Sequence, residues 1–231
     1  MVTGAPHYIL PGPMRVLRAL SGNASLLLDH ATVTVVEILL GLVLGTVLGS
    51  LAALVIATVR PARRWLLPVL VISQAIPVFA LAPMLVLWLG YGLASKVAMA
   101  TLIIFFPVTT AFFDGLRRTE PGWLDLARTM GGRPLHVLWH LRIPAALPAL
   151  TSGIRVATAV APIGAVVGEW VGSSAGLGYL MLHANARMQV DLMFAALFLL
   201  ALFAVGLYVT VDAGLRRALP WQPEDGRLTA D

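Results

Sequence analysis

The stretch Ala31-Thr-Val-Thr-Val-Val-Glu37-Ile-Leu-Leu-Gly41-Leu-Val-Leu-Gly45-Thr-Val-Leu-Gly49-Ser-Leu-Ala-Ala53-Leu-Val-Ile-Ala57-Thr-Val59 contains one ionisable side chain, Glu37, and is closed by Arg60, Arg63 and Arg64. About 20 predominantly apolar residues suffice for a helix to cross a hydrocarbon core of roughly 30 Å, so this run is long enough to span with tilt. Working outward from it, four more apolar runs appear: Trp65 to Leu89, Lys96 to about Gly115, about Leu150 to Val171, and about Leu192 to Val211. The second contains Pro68, Pro77 and Pro83, which remove backbone donors, and the expectation there is a kinked or two-part helix. The fold class is therefore all-α, a membrane protein of about five transmembrane helices.

Composition agrees. The 231 residues are 59% hydrophobic and 12% charged, where soluble domains carry about 25% charged residues. A soluble enzyme and a disordered chain are both excluded. The absence of cysteine removes disulfides, thiolate metal sites and cysteine nucleophiles. The net charge of +5 is nearly all arginine, and in a membrane chain it reports loop orientation and contact with anionic lipid, not nucleic acid.

The basic residues are lopsided. Arg60, Arg63, Arg64, Arg117, Arg118, Arg128, Arg133, Arg142, Arg216, Arg217 and Arg227 fall on one side of the predicted spans, against Arg15, Arg18, Lys96 and Arg187 on the other, with Arg155 inside a span. The excess of Lys and Arg in cytoplasmic loops places the 60–64 loop, the 116–147 segment and the tail 216–231 in the cytoplasm, and segment 1–30 outside. Residues 31–215 form the transmembrane domain.

Two spans carry small residues at four-residue spacing. Gly41, Gly45 and Gly49 continue into Ala53 and Ala57, and Gly164, Gly168 and Gly172 repeat the device. Such stripes let helix backbones approach closely, and packing within one subunit is favoured over a subunit interface.

Outside the spans, the 116–147 segment is the largest built element. Thr119-Glu-Pro121 offers an N-cap followed by proline near the first turn, Gly122-Trp-Leu-Asp-Leu-Ala-Arg-Thr-Met130 supplies two to three helical turns, and Gly131-Gly132 ends them. Pro134 starts a second helical piece, Leu135 to Leu141, which leads through Ile143-Pro144 back to the bilayer.

This segment resembles the loop of ABC importer permeases that reads Glu-Ala-Ala, three residues, Gly, nine residues, Ile, one residue, Leu-Pro. Here the register is Asp125-Leu126-Ala127, Gly131, Leu141 and Ile143-Pro144. Gly and Pro fall at the family's offsets; Asp for Glu, Leu for Ala, Leu for Ile and Ile for Leu are the departures. Gln74-Ala-Ile-Pro77, Phe105-Phe-Pro107, Arg155 and the run Gly164 to Tyr179 look like the nitrate, sulfonate and taurine branch of these permeases, so the resemblance covers roughly residues 8 to 220. It implies a type I importer permease fold with a coupling helix at about 121–131 docked on an ATPase subunit. It also implies a second permease subunit, expected to be an identical copy, and an extracytoplasmic solute-binding protein, all in the inner membrane with the C-terminus cytoplasmic. ATP and Mg belong to the partner ATPase. The chain itself has no phosphate-binding loop, because Lys96, its one lysine, sits between Ser95 and Val97; no enzymatic activity and no cofactor are expected in it. Family members commonly have six spans, with a crossing before a Pro-rich segment like Pro6 to Pro13, so the expectation is a start assigned too late.

Gly176-Leu-Gly-Tyr-Leu-Met-Leu-His183-Ala-Asn-Ala-Arg187-Met-Gln-Val-Asp191 looks closest to permeases for pyrimidine precursors of thiamine; sulfonate, taurine or nitrate is the alternative solute. Among intramembrane polar residues, Gln74 beside Pro77 and Glu169 near the outer end of its span are the candidates for lining a translocation path, while Arg155 is assigned to structural pairing or snorkelling. A proton-coupled secondary transporter using Glu37 and Glu169 is the competing class. Gly172-Ser-Ser174-Ala-Gly176 fits a hydrolase nucleophile elbow, which requires a strand-to-helix turn. His136 and His140 have helical metal-ligand spacing, but Val137 stands where a zinc protease needs glutamate, and no metal site is expected.

Overall fold

A computed structural model of the protein describes residues 11–221, without the side chains at 60, 71 and 73–75. Pro6 to Leu10 of the Pro-rich segment, and Arg227 with most of the tail, lie outside the described residues. All regular structure among the described residues is helical: α1 (Pro13–Gly22), α2 (Ala24–Thr58), α3 (Arg60–Ala75), α4 (Val78–Leu89), α5 (Leu93–Arg117), α6 (Pro121–Thr129), α7 (Pro134–Val137), a π-helical turn (Leu138–Arg142), α8 (Ile143–Gly172), α9 (Leu177–Ala186) and α10 (Val190–Ala218).

α5 is the central helix. It packs between α2 and α8, and the glycine stripes set how closely. A Cβ at Gly45 would lie 2.6 Å from Ile104 Cγ2, one at Gly49 3.0 Å from Phe105 O, and Gly41 faces Ala100. From the other side, a Cβ at Gly164 would lie 2.7 Å from Ala100 Cα and one at Gly168 3.2 Å from Lys96 Cα, while Gly172 meets Val86 of α4. At the far end of α5 the roles reverse, and Gly115 faces Ala149 and Ala146 of α8. Ala157, Ala161 and Ala165 extend the small-residue seam of α8 into the core shared with Ile38, Ile104 and Val108.

These pairings fix direction. Gly41 meets Ala100 and Gly45 meets Ile104, so α2 and α5 run parallel; Gly164 meets Ala100 and Gly153 meets Ala111, so α8 is antiparallel to both. Four helical stretches, 24–58, 93–117, 134–172 and 190–218, are long and apolar enough to cross a membrane. Parallel α2 and α5 require the connection between them to return across the bilayer, and α3 with α4 makes that return. The second expected span is thus two helices, broken at Ile76-Pro77, where Pro77 cannot donate to the helical ladder.

Three expected boundaries move. The helix that carries the first span begins at Ala24, ahead of the apolar run from Ala31, and at 35 residues it is about 52 Å long, more than a hydrocarbon core requires. The expected 60–64 loop shrinks to Val59, and Arg63 and Arg64 sit near the start of α3. The fourth span starts at Ile143 rather than about Leu150, continuous with the loop's second helical piece. Pro144 has no N–H and its ring would clash with the carbonyl of His140 in a regular α-helix; the π turn just before it, with Ile143 N–H reaching Leu138 O, absorbs the mismatch.

The packing predicts an asymmetry between glycines. Gly164→Ala forces a methyl against the Ala100 backbone and is expected to cost about 1–3 kcal/mol, whereas Gly206→Ala, with nothing within 4 Å, is expected to be neutral or slightly stabilising. Unfolding in detergent, followed by heat or denaturant, measures both; equal effects would contradict the close approach of α8 to α5.

Candidate functional site

The end of the bundle where α5 stops and α8 starts carries the 116–147 segment. Proline at N1 and non-helical backbone at Glu120 start α6, whose N-cap makes no side-chain bond. Thr119, the expected cap, instead donates its hydroxyl to Leu116 O (3.3 Å) at the end of α5. α6 ends as the glycine pair requires. Gly131 has φ +74°, its N–H donates to Arg128 O (2.9 Å), and the Gly132 N–H donates to Ala127 O (2.9 Å), the paired bonds of a Schellman cap. A side chain at Gly131 would be strained there, and a Cβ at Gly132 would lie 2.7 Å from Ala127 O.

The return piece is fastened to the bundle. Arg142 donates from Nε (3.3 Å) and Nη2 (3.0 Å) to Leu116 O, and Leu138 is buried against Phe112, Phe113 and Leu116. α6 itself is not covered. Trp123, Leu126, Met130, Leu135 and Trp139 are exposed, Met130 at 78%, and the first three line a groove of about 490 Å³ between α6 and residues 132–141. An exposed apolar patch of this kind on a connecting segment marks a contact surface. The structure therefore brings Asp125, Leu126, Ala127, Gly131, Leu141, Ile143 and Pro144 into one element that joins α5 to α8. Among the described residues Asp125 pairs only with Arg128 (2.9 Å), both exposed, a contact worth little. His136 and His140 stack with ring centroids 5.7 Å apart beside the groove, and no group of three metal-capable residues occurs among the described residues.

At the opposite end lies a buried polar clamp. α9 begins with four backbone N–H groups that have no partner within the helix. Gly176 N–H donates to His30 Nδ1 (2.9 Å), Leu177 N–H to Thr34 Oγ1 (2.7 Å), and Gly178 and Tyr179 N–H to Glu169 Oε2 (2.5 and 3.1 Å). Thr34 completes the circuit by donating to Glu169 Oε1 (2.6 Å). All four orphan donors are thus satisfied by side chains of α2 and α8. Gly176, at φ +113°, is needed twice over, because a Cβ there would collide with the Glu169 carboxylate.

Lys96 reads from sequence as an outer loop charge, yet it is 1% exposed. Its ammonium donates to the carbonyls of Tyr91, Gly92 and Gly172, closing the last turn of α8 against the 90–92 turn.

Of the two path candidates, Glu169 is 1% exposed and committed to the clamp, and the Gln74 side chain lies outside the described ones. Arg155 donates to Asp212 Oδ1 of α10 (2.6 Å), and Asp212 also binds Arg216 (2.9 Å), a structural pairing of α8 with α10. Ser174 lies in a bend between two helices, without a strand, so no nucleophile elbow forms. Sequence reasoning missed His30, Thr34 and Asp212. The signal for the first two was present: His30, Thr34 and Glu37 fall at i, i+4 and i+7, one polar stripe at the start of an apolar helix.

The model of the binding-protein-dependent transport system inner membrane component family matches residues 45–220. A probable ABC transporter permease protein of Haemophilus influenzae is 60% identical over 92% of this chain and 86% of its own length. A formylaminopyrimidine transport permease protein of Halalkalibacterium halodurans is 38% identical over 93% of this chain and 86% of its own. Among solved structures, a chain of the MetNI methionine ABC transporter in inward-facing conformations superposes with a TM-score of 0.74 at 20% identity, covering 85% of this chain and 97% of that one. At that identity the likeness establishes the fold.

The clamp yields a prediction. Thr34→Val keeps shape but removes the acceptor of Leu177 N–H and the donor to Glu169, and is expected to cost about 1–3 kcal/mol with faster amide exchange at 177–180 than at the α10 core. Hydrogen exchange with mass spectrometry reads this; unchanged protection in α9 would mean the clamp does not hold the helix.

Proposed function

The chain belongs to the binding-protein-dependent transport system inner membrane component family and is a permease component of an ABC importer; from that premise we propose that it forms the path for a small heteroaromatic solute of the aminopyrimidine type. In this reading an identical second permease subunit completes the path, an extracytoplasmic binding protein delivers the solute, and ATPase subunits holding ATP and Mg drive the cycle. The coupling segment faces the cytoplasm, as does the C-terminus, which the arginine distribution supports. α6 is the coupling helix. The observation that carries this assignment is its geometry: an exposed apolar helix and groove, closed by the Gly131 cap and anchored through Leu138 and Arg142 to α5 and α8. A push on α6 is passed directly to the two helices at the centre of the bundle.

Two variants at one position test the coupling role. Gly131→Val should leave membrane insertion intact but reduce ATP-dependent uptake at least about tenfold in proteoliposomes containing the ATPase subunits, while Gly131→Asn, which tolerates the left-handed region, should retain much of it. Full uptake by the Val variant would remove α6 from the coupling role, and uptake driven by a proton gradient without ATPase subunits would replace the importer reading by a secondary transporter.

For the solute, similarity to the formylaminopyrimidine permease (38%) supports the aminopyrimidine class over an aliphatic sulfonate, whose Bacillus subtilis permease is 31% identical. Riboflavin, carried by a system whose Chloroflexus aurantiacus permease is 36% identical over 96% of this chain, is the comparator that matters most. Uptake of labelled formylaminopyrimidine with the cognate binding protein should exceed that of taurine, an alkanesulfonate, nitrate and riboflavin. Preference for any of these four would overturn the solute assignment and leave the permease assignment standing.

A further inference from the structure

Glu37 lies on α2 one turn beyond Thr34, is 1% exposed, and its carboxyl rests against that of Glu169. The clamp donors are given to Glu169 or to one another, and none to Glu37. Thr34 and the amides of Gly178 and Tyr179 bind Glu169, the Leu177 amide binds Thr34, and the Gly176 amide binds His30 Nδ1, which as an acceptor carries no proton. The Lys96 ammonium is held by three carbonyls. From α9, the side chains of Tyr179 and His183 stack beyond the clamp, with no hydrogen bond to either carboxyl among the described residues. Glu37 Oε2 has no hydrogen-bond partner among the described residues.

Ionised carboxylates accept hydrogen bonds and cannot donate them. Two in contact, out of water, repel each other, and one ammonium leaves the group with an uncompensated negative charge inside the bundle. A single proton between the carboxyls resolves both problems.

We propose that Glu37 and Glu169 form a proton-binding site that holds one proton, carried on Glu37 and donated to Glu169, so that the Glu37–Glu169–Lys96 group is neutral. Placement on Glu37 follows from the partners. Glu169 faces the N-terminal end of α9 and accepts three further bonds, an environment for a carboxylate; Glu37 has no other donor and serves as the acid. The proton supplies a further bond to Glu169 and ties α2 to α8 at the clamp. The pair depends only on the helix packing, and neither the solute nor the ATPase enters it.

Isotope-edited infrared spectroscopy of the full chain in lipid nanodiscs, with labelled glutamate, tests it without reference to transport. The expected result at neutral pH is a carboxylic acid C=O band from one of the four glutamates, lost in Glu37→Gln. The amide introduced by Glu37→Gln still offers an N–H donor, so that variant should unfold near the parent midpoint, whereas Glu169→Gln should speed exchange of the 177–180 amides about tenfold. No acid band in the parent overturns the proposal, even if no variant can be purified. So does a band that survives Glu37→Gln and disappears in Glu169→Gln. A parent without the band whose unfolding midpoint rises with sodium would place a metal cation there instead.

Discussion

The close approach of three backbones, α2 and α8 on either side of α5, is the constraint on which the structure depends. Lipid tails are as apolar as leucine, so helices in a bilayer gain little from burying large aliphatic side chains against each other and hold together through short-range packing and polar contacts. Gly41, Gly45, Gly164 and Gly168 let the helix axes close on Ala100 and its neighbours until backbone atoms touch. The large side chains go outward instead: Leu40, Val43, Leu44, Val47 and Leu51 of α2 are all exposed, a surface suited to lipid.

That seam leaves the two ends of the bundle to polar chemistry of different kinds. At one end His30, Thr34 and Glu169 replace the missing partners of the first α9 turn, and Lys96 closes the last turn of α8, so backbone groups that water would otherwise serve are paired internally. At the other, Arg142 and Thr119 share the Leu116 carbonyl in the last turn of α5, and the 118–142 connection hangs from that junction. α5 and α8 run the whole distance between them. Their close packing joins the two ends through a single seam.

Much of this was legible in the sequence, for physical reasons. The spans, the Pro77 break, the glycine stripes and the short helix ending at Gly131-Gly132 all rest on local rules: apolar length, the missing proline donor, small-residue spacing, and the left-handed cap. What escaped was non-local. Lys96 reads as a loop cation because nothing adjacent in sequence reveals that three carbonyls from two segments converge on it. Glu169 reads as a path residue for the same reason, since its partners lie on α2, 135 residues away, and on α9. The two-part second span was legible too: α3 and α4 separately fall short of a span, and the parallel pairing of α2 with α5 agrees with their completing one crossing together.

The 125–144 motif separates along the same line. Its matched positions, Gly131 and Pro144, are those where the backbone dictates the residue: a left-handed φ at the first, and at the second a missing N–H answered by a π turn. Its departures fall where the backbone makes no such demand. Leu126 replaces a smaller residue but is exposed, so the added volume meets no wall within this chain; Asp125 is exposed and keeps the charge. Ala127 is the matched side chain between these extremes, half-buried beneath the Gly132 amide that its own carbonyl receives. The backbone geometry of the element is therefore set internally, while the chemistry of its outer face is free to follow whatever surface it meets.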